Sequence, residues 1–320
     1  MKDVATCIRN ALLHRVFRHK GGAAPFRRAM SRLPLLILLF SLAPSSSQAY
    51  FESSCTSARS LAMGGAFAAL GDDASSLYIN PAGLFLIDSY IIYGEYGEPS
   101  SGPSERDGKL ELVVPFGRVA AGLGAYRNNH IDGSTAEQIV TGFSARILEG
   151  TQDSYFSIGG NIRAGRISYS ILCGCADDRV SNTGVTGDLG FILRPLPVIS
   201  FGYAVNNIFD VDIETDDSSG NWQRIHRWGI SLFWEQKVVI SYDQEHSAGK
   251  VRNSFGFTYK TVVPLELMAG FSEELISGGI RWNHERFNAT VSFMSGNDGD
   301  LVVRAGFELK FRQQKEDELP

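Results

Sequence analysis

From residue 88 onward the chain is written in period two, and no other feature restricts its fold as strongly. In 155–164, Phe156, Ile158 and Ile162 alternate with Ser157, Gly159, Asn161 and Arg163. Val251, Phe255, Phe257 and Tyr259 alternate with Arg252, Ser254, Thr258 and Lys260, and Phe287, Ala289, Val291 and Phe293 with Asn288, Thr290 and Ser292. Successive side chains of a strand point to opposite faces, so each run has one greasy and one polar face. The runs last about ten residues, whereas sandwich strands stop near 5–6 and tilted membrane strands need about 9–11. The pattern therefore predicts an all-β fold, a transmembrane antiparallel β-barrel. A mean hydropathy of -0.07 agrees with this, because lipid-facing and lumen-facing residues cancel in the average. Tyr90, Tyr93, Tyr126, Trp228, Trp234, Tyr242, Tyr259 and Trp282 lie near run ends or on apolar faces, where interfacial girdles are expected.

A first count gives 15 runs, and a single-chain bacterial barrel wants an even number. At Ala164-Gly165 the apolar phase shifts from even to odd positions, Ile162 being followed by Ile167, Tyr169 and Ile171. One extra residue that flips the face is a β-bulge, and glycine is its usual occupant. Fusing 154–172 into one bulged strand leaves 14 strands over 88–311. Segments 98–107, 127–137, 173–183, 207–224 and 244–249 then face outward. The short connections at Gly117, 194–197, 235–236, 261–263 and 283–285 face the periplasm. The last strand carries polar-x-Gly-x-x-apolar-x-aromatic at Arg304, Gly306, Leu309 and Phe311, which resembles the signal read by the barrel assembly machinery. Val303, Ala305, Phe307, Leu309 and Phe311 are expected to face lipid, and 312–320 forms a charged periplasmic tail.

At the other end, Arg27, Arg28 and Arg32 precede an apolar run from Leu33 to Ala43. Ser47-Gln48-Ala49 then offers a small-x-small cleavage site, so 1–49 reads as a signal peptide and Tyr50 as the mature start. The apolar run is too short to cross a bilayer. Met30 would open a conventional signal peptide by itself and is expected to be the true start. The net charge of -5, without a sustained basic block in the mature part, argues against a nucleic-acid partner.

Cys7 lies in the leader, and the remaining Cys55, Cys173 and Cys175 are an odd set that makes no disulfide framework. Glu52-Ser53-Ser54 lacks the apolar residue that lipidation of Cys55 needs. Cys173-Gly174-Cys175 has no further Cys or His near it in sequence, so no metal site and no cofactor are expected. His130, His226, His246 and His284 scatter among loops and strand ends without a Ser/His/acid grouping, and no catalytic residue is assigned. Asp210, Asp212, Glu214, Asp216 and Asp217 read as a solvated outer loop, since the EF-hand spacing is missing.

One stretch escapes the alternation. Residues 57–84 set Gly64, Gly65, Gly71 and Gly83 among alanines, carry Asp72 and Asp73 side by side, and close on Asn80-Pro81-Ala82-Gly83. So little side chain lets a backbone run close against a wall. The aspartates have two readings, which are compatible. They pair with inward arginines such as Arg163, Arg252, Arg281 or Arg304, or they cap a short helix ended by Asn80-Pro81.

The runs S-A-R-S-L-A-M-G-G-A-F-A-A-L, D-D-A-S-S-L-Y and N-P-A-G-L resemble the N-terminal segment of PorV/PorQ-type outer-membrane barrels, distant relatives of the FadL long-chain fatty-acid transporters. The resemblance implies that 50–87 is an N-terminal plug, or hatch, in the lumen of a 14-stranded barrel. Its motif residues would be Met63, Gly64, Gly65, Asp72, Asp73, Asn80, Pro81 and Gly83. It also implies a non-enzymatic protein of the bacterial outer membrane, in contact with outer-membrane lipid and acting in transport or secretion. The secretion role implies an exported protein or secretion complex as partner. The alternative is a FadL-like channel for hydrophobic small molecules, fatty acids or aromatics. A soluble periplasmic β-protein is the further alternative that the modest hydropathy leaves open.

Overall fold

The computed structural model describes residues 57–99, 106–129, 134–150, 153–173, 176–209, 211–213, 220–247, 249–272, 275–296 and 301–311. The leader with Met30, the cleavage site, Cys55 and the 312–320 tail lie outside them.

Among the described residues, sixteen strands follow a short non-strand segment. They are β1 (Tyr90–Pro99), β2 (Arg106–Phe116), β3 (Val119–Asn129), β4 (Thr135–Glu149), β5 (Tyr155–Cys173), β6 (Ala176–Leu196), β7 (Ile199–Asn206), β8 (Val211–Ile213), β9 (Gly220–Trp222), β10 (Ile225–Trp234), β11 (Val238–Ser247), β12 (Lys250–Lys260), β13 (Leu265–Ser272), β14 (Leu275–Asn283), β15 (Phe287–Gly296) and β16 (Leu301–Phe311). Fourteen of them pair antiparallel with their neighbours into a closed barrel, and β8 and β9 form a separate two-stranded hairpin. Closure runs through β1 and β16, with Tyr90 opposite Phe311 and Glu98 opposite Val303. A closed ladder leaves no edge unpaired, which is what hydrocarbon demands of a spanning sheet.

The alternation becomes two surfaces. Outward positions expose Leu110, Ile139, Phe143, Ile162, Leu189, Ile276, Val291 and Phe307, while inward positions bury Glu111, Arg163, Asp188, Asp243, Arg281 and Arg304. An apolar outside and polar inside is the inverse of a water-soluble fold and sets the soluble alternative aside. On β16 the expected lipid face is observed: Val303, Ala305, Phe307, Leu309 and Phe311 are exposed, with Arg304, Gly306 and Glu308 inside. The chain turns tightly at 117–118, 197–198, 235–237, 261–264 and 284–286, all at the end where Tyr90 meets Phe311, and there the Gly150 amide donates to the Ser154 carbonyl at 2.8 Å. The opposite end, where 207–224 joins β7 to β10, is the long-loop end, but the expected outer segments 173–183 and 244–249 are mostly strand, since β6 begins at Ala176, β11 runs to Ser247 and β12 begins at Lys250.

The strand number agrees with the reading of 154–172 as one strand, but the expected bulge is absent. Ladder register runs unbroken through Ile139 opposite Ala164 and Gln138 opposite Gly165. Register shifts fall instead between Arg146 and Leu148 and between Leu193 and Leu196, near the short-turn end. The apolar phase changes because the surroundings of the inner face change. Ile167 points inward like Arg163, but at the long-loop end it packs on Ala136 and Trp222, with Val211 against them. The β8–β9 hairpin thus brings an apolar lining to that mouth. Tyr93 and Tyr126 also depart from expectation, being buried on the inner face and not in an outer girdle. Cys173 ends β5, and its side chain, Cys175, the side chain of Asp212 and all of Asp210, Glu214, Asp216 and Asp217 lie outside the described residues.

Candidate functional site: the segment 57–87 and the wall that holds it

Residues 57–87 form helix α1 (Ala58–Ala62), helix α2 (Ser76–Ile79) and a 3-10 turn over Pro81–Leu86. Ser57 and Ser60 make a reciprocal capping box that starts α1. The segment is nearly all buried, and its contacts are with inward-facing residues around the whole barrel.

Gly64, Gly65 and Gly71 have φ of 66°, 92° and 55°, a left-handed region glycine enters without strain. A Cβ on Gly64 would lie 2.6 Å from the Phe271 amide nitrogen, so the turn is pressed onto β13. Just past it, Asp243 of β11 accepts hydrogen bonds from the Phe67 and Ala68 amides, both at 2.7 Å. The Ser200 hydroxyl donates to the Ala69 carbonyl at 2.9 Å. The barrel wall therefore satisfies backbone groups that a coil would otherwise leave orphaned in the interior.

The second half is held by its carbonyls. Asn161 Nδ2 donates to Leu77 O at 2.6 Å and Arg163 to Tyr78 O at 2.6 Å. Asn206 Nδ2 donates to Tyr78 O at 3.2 Å and Ile79 O at 3.4 Å. These are the last carbonyls of α2, where orphan acceptors and negative dipole favour an arginine and amides. Asn80 links three parts of the molecule. Its Nδ2 donates to Ala68 O at 2.8 Å and Phe191 O at 3.3 Å, and its Oδ1 accepts from the Ala82 amide at 3.2 Å, capping the Pro81 turn.

Asp72 and Asp73 correct the expectation of pairing with barrel arginines. Asp72 forms an ion pair with Arg59 of the same segment, and Asp73 lies 3.6 Å from that guanidinium. Arg59 in turn reaches Glu266 of β13 at 3.3 Å, and the Ala58 amide donates to Glu95 at 2.6 Å. Neither carboxylate caps α2, whose N-cap is Ser75 without a side-chain cap hydrogen bond; Asp73 instead accepts from the Ser75 amide at 3.0 Å in the turn just before it. Burial works against the Asp72 charge, but Arg59 outweighs it and holds the carboxyl down to about 2. For Asp73, burial dominates and the carboxyl is raised. The arginines named from sequence are engaged elsewhere: Arg163 with Asp188, Arg252 with Glu245, Arg281 with Glu308, and Arg304 with Glu95 and Asp107.

Of the remaining motif residues, Met63 and Pro81 meet glycines of the wall and Gly83 meets a glycine of the segment itself. Met63 lies against Gly256, and Gly83 against Gly71. A Cβ on Gly159 would overlap the Pro81 carbonyl and the Ala82 amide, one on Gly202 the Ala68 carbonyl, and one on Gly270 the Gly64 amide. Sequence reading missed these wall glycines, and also Arg59, Asp243, Asn161 and Asn206. Strand parity assigns the wall residues to the lumen, but parity alone does not say which of them meet the segment. Of the assembly-signal residues, Arg304 and Gly306 face in, the latter beside the Tyr93 hydroxyl, while Leu309 and Phe311 face out. His226 and His246 sit on outward positions, and His284 stacks on Phe287 in a short turn.

An apolar cluster sits among the polar inner residues of β1–β4, which include Lys109, Glu111 and Gln138. Leu77, Tyr78, Leu84 and Ile87 of the segment pack with Ile91, Tyr93, Val113, Ala120, Tyr126 and Val140 of β1–β4. Toward the long-loop end, Ala136 joins Ile167 and Trp222. The segment covers the first of these clusters; the second is separate and lies beneath the β8–β9 hairpin.

Solved barrels share this architecture. CymD, a monoaromatic hydrocarbon channel, superposes with a TM-score of 0.65 at 14% identity, over 81% of this chain and 98% of its own. The Ralstonia pickettii toluene transporter TbuX gives 0.63 at 12% identity, over 82% and 100%. A Pseudomonas aeruginosa FadL homologue gives 0.54 at 12%, over 84% and 99%. The chain has the FadL-like barrel fold. At such identities the likeness is one of fold. No family model matches the sequence, and no curated protein does.

Proposed function

We propose that this chain is a non-enzymatic outer-membrane channel for hydrophobic small molecules, with 57–87 as the element that closes it. The observation that carries the reading is the apolar lining along β1–β4, covered by Leu77, Leu84 and Ile87. An apolar solute needs such a surface in a lumen that elsewhere, and between these residues, carries charges, because polar walls favour water. The fold shared with monoaromatic hydrocarbon channels and a toluene transporter supports the same solute class. The segment is held by hydrogen bonds and small-residue contacts that can be exchanged one at a time, as a movable closure requires. The short turns then lie in the periplasm and the β8–β9 hairpin outside.

A second reading rests on the sequence of the segment itself, whose S-A-R-S-L-A-M-G-G-A run and N-P-A-G-L close resemble PorV/PorQ proteins. On that reading the barrel stays shut and holds an exported protein or secretion complex. The β5–β6 ribbon, 19 and 21 residues long, would offer the surface. Uptake of radiolabelled toluene and of a long-chain fatty acid separates the two, comparing cells with and without the gene in an uptake-deficient host. Transport predicts at least about tenfold faster entry of one class at low concentration, a step worth roughly 1.4 kcal/mol of barrier. Equal entry of both solutes, with a stoichiometric co-purifying protein, would favour the second reading.

A further inference from the structure

Glu111 is a carboxyl that the closed barrel leaves idle. It faces the lumen at the middle of β2, is 1% exposed, and neither of its oxygens has a hydrogen-bond partner among the described residues. The carboxyls around it are engaged: Glu95 accepts from the Tyr93 hydroxyl and from Arg304, and Glu308 accepts from Arg281 and Asn288. Its place is inside the apolar cluster. In the ladder Glu111 stands opposite Tyr93 of β1 and Gly124 of β3, and Gly124 stands opposite Val140 of β4. A solute that follows the cluster past the displaced segment therefore passes Glu111. A buried acceptor without a donor is costly, and a solute that brings the donor recovers that cost.

The segment itself shows what shape the wall beside Glu111 accepts. Lys109 Nζ lies 5.2 Å and the Arg163 guanidinium carbon 5.5 Å from the centroid of the Tyr78 ring. Both are within the reach of about 6 Å over which a cation attracts an aromatic face. A Cβ on Gly124 would come 2.7 Å from the Tyr78 hydroxyl oxygen, and a Cβ on Gly122 or Gly142 would press on Leu77 at 3.1 or 2.9 Å. Three glycines of β3 and β4 thus leave a shallow recess, and a phenol ring fills it with its hydroxyl at the residue opposite Glu111. Lys109 lies 3.9 Å from Glu95, and Arg163 pairs with Asp188, so both cations are tied to the wall and stay when the segment departs. Tyr78 then leaves room for another ring, with Glu111 beside it as an acceptor.

We propose that Glu111 makes the channel prefer phenols: the ring of the solute takes the place of Tyr78, and its hydroxyl donates to the Glu111 carboxyl. The inference rests on the channel reading and narrows its solute from hydrophobic small molecules to hydroxylated aromatics. A site that hydrogen-bonds a hydroxyl discriminates against the analogue that lacks it. The test compares entry of radiolabelled p-cresol and p-xylene, which match in size and shape, into uptake-deficient cells with and without the gene. Heat-modifiable gel mobility checks that each barrel is folded. With the wild type, gene-dependent entry of p-cresol at low concentration should be at least about tenfold faster than that of p-xylene, which still enters above the gene-free control. Glu111→Leu should abolish the preference without slowing p-xylene. Glu111→Gln, which keeps an acceptor oxygen, should retain most of it. Equal gene-dependent entry of the two solutes, a p-xylene preference, or a p-cresol preference that survives in Glu111→Leu would overturn the proposal. So would a folded Glu111→Gln barrel that has lost the preference. Entry of both solutes that does not depend on the gene would reject the channel reading itself, and the inference with it.

Discussion

Gly159→Val combined with Gly270→Val is expected to open the barrel without unfolding it. Both glycines sit on inner wall positions where the segment's backbone is in contact: the Pro81 carbonyl and Ala82 amide at Gly159, the Met63 carbonyl carbon and Gly64 amide at Gly270. A valine there meets main chain, which cannot turn aside as a flexible side chain can, so the segment must move off the wall at both ends. Valine itself suits a strand. The 14 paired strands do not depend on the contact, and a 14-stranded barrel without filling has a lumen wide enough for water. Cells carrying the double variant should become about tenfold more sensitive to vancomycin, since the lumen is then an aqueous channel. Their barrel should keep its heat-modifiable mobility. Gly94→Val, whose Cβ meets nothing within 4 Å, is the matched control and should change neither.

Arg163→Met should be the most destabilising single change in the lumen. Arg163 is 1% exposed, pairs with Asp188 and donates to the Tyr78 carbonyl at the end of α2. Removing it leaves a buried carboxylate whose remaining partners among the described residues are the Asn161 amide group and the Asn207 backbone amide, at 2.7 and 2.8 Å. Stripping one partner from a buried pair costs about 3–5 kcal/mol, whereas replacing both by apolar groups is often near neutral. Urea unfolding in detergent micelles should therefore show a large loss for Arg163→Met. Most of that loss should return in R163M/D188L. Equal losses in the single and double variants would mean that the Tyr78 contact, and not the ion pair, carries the effect.

The alternation alone made the barrel legible, and with it the exposure of Val303, Phe307 and Phe311. Period two is set by strand geometry and survives any detail of packing. The odd first count shows where that legibility stops. Ile167 looked out of phase because its apolar partner, Trp222, comes from a loop far along the chain. A residue that packs against a distant loop carries no local mark of it. The aspartates repeat the lesson at closer range. Asp72 and Asp73 were readable as charges needing partners, and inward arginines were abundant. Yet the nearest cation is Arg59, brought back by the turn at Gly64 and Gly65 within the segment itself. Asp243 and the wall glycines escaped because a polar or small residue at an inward position is ordinary in a barrel. Only the path of 57–87 makes those particular ones important.

The central claim is that solutes pass only when 57–87 leaves the wall, and a reversible covalent lock tests it most directly. The Cβ positions of Gly65 and Ser254 lie 4.0 Å apart, within the 3.5–4.5 Å usual for a disulfide. Gly65→Cys with Ser254→Cys would be made in a background with Cys55, Cys173 and Cys175 replaced by serine, and reconstituted into liposomes. Reduced protein is the reference, because it carries the same left-handed strain at position 65. Toluene uptake should fall at least about tenfold on oxidation, as expected when a closing segment is held to its closed state. Dithiothreitol should restore it. Equal uptake by the oxidised and reduced forms would contradict the account.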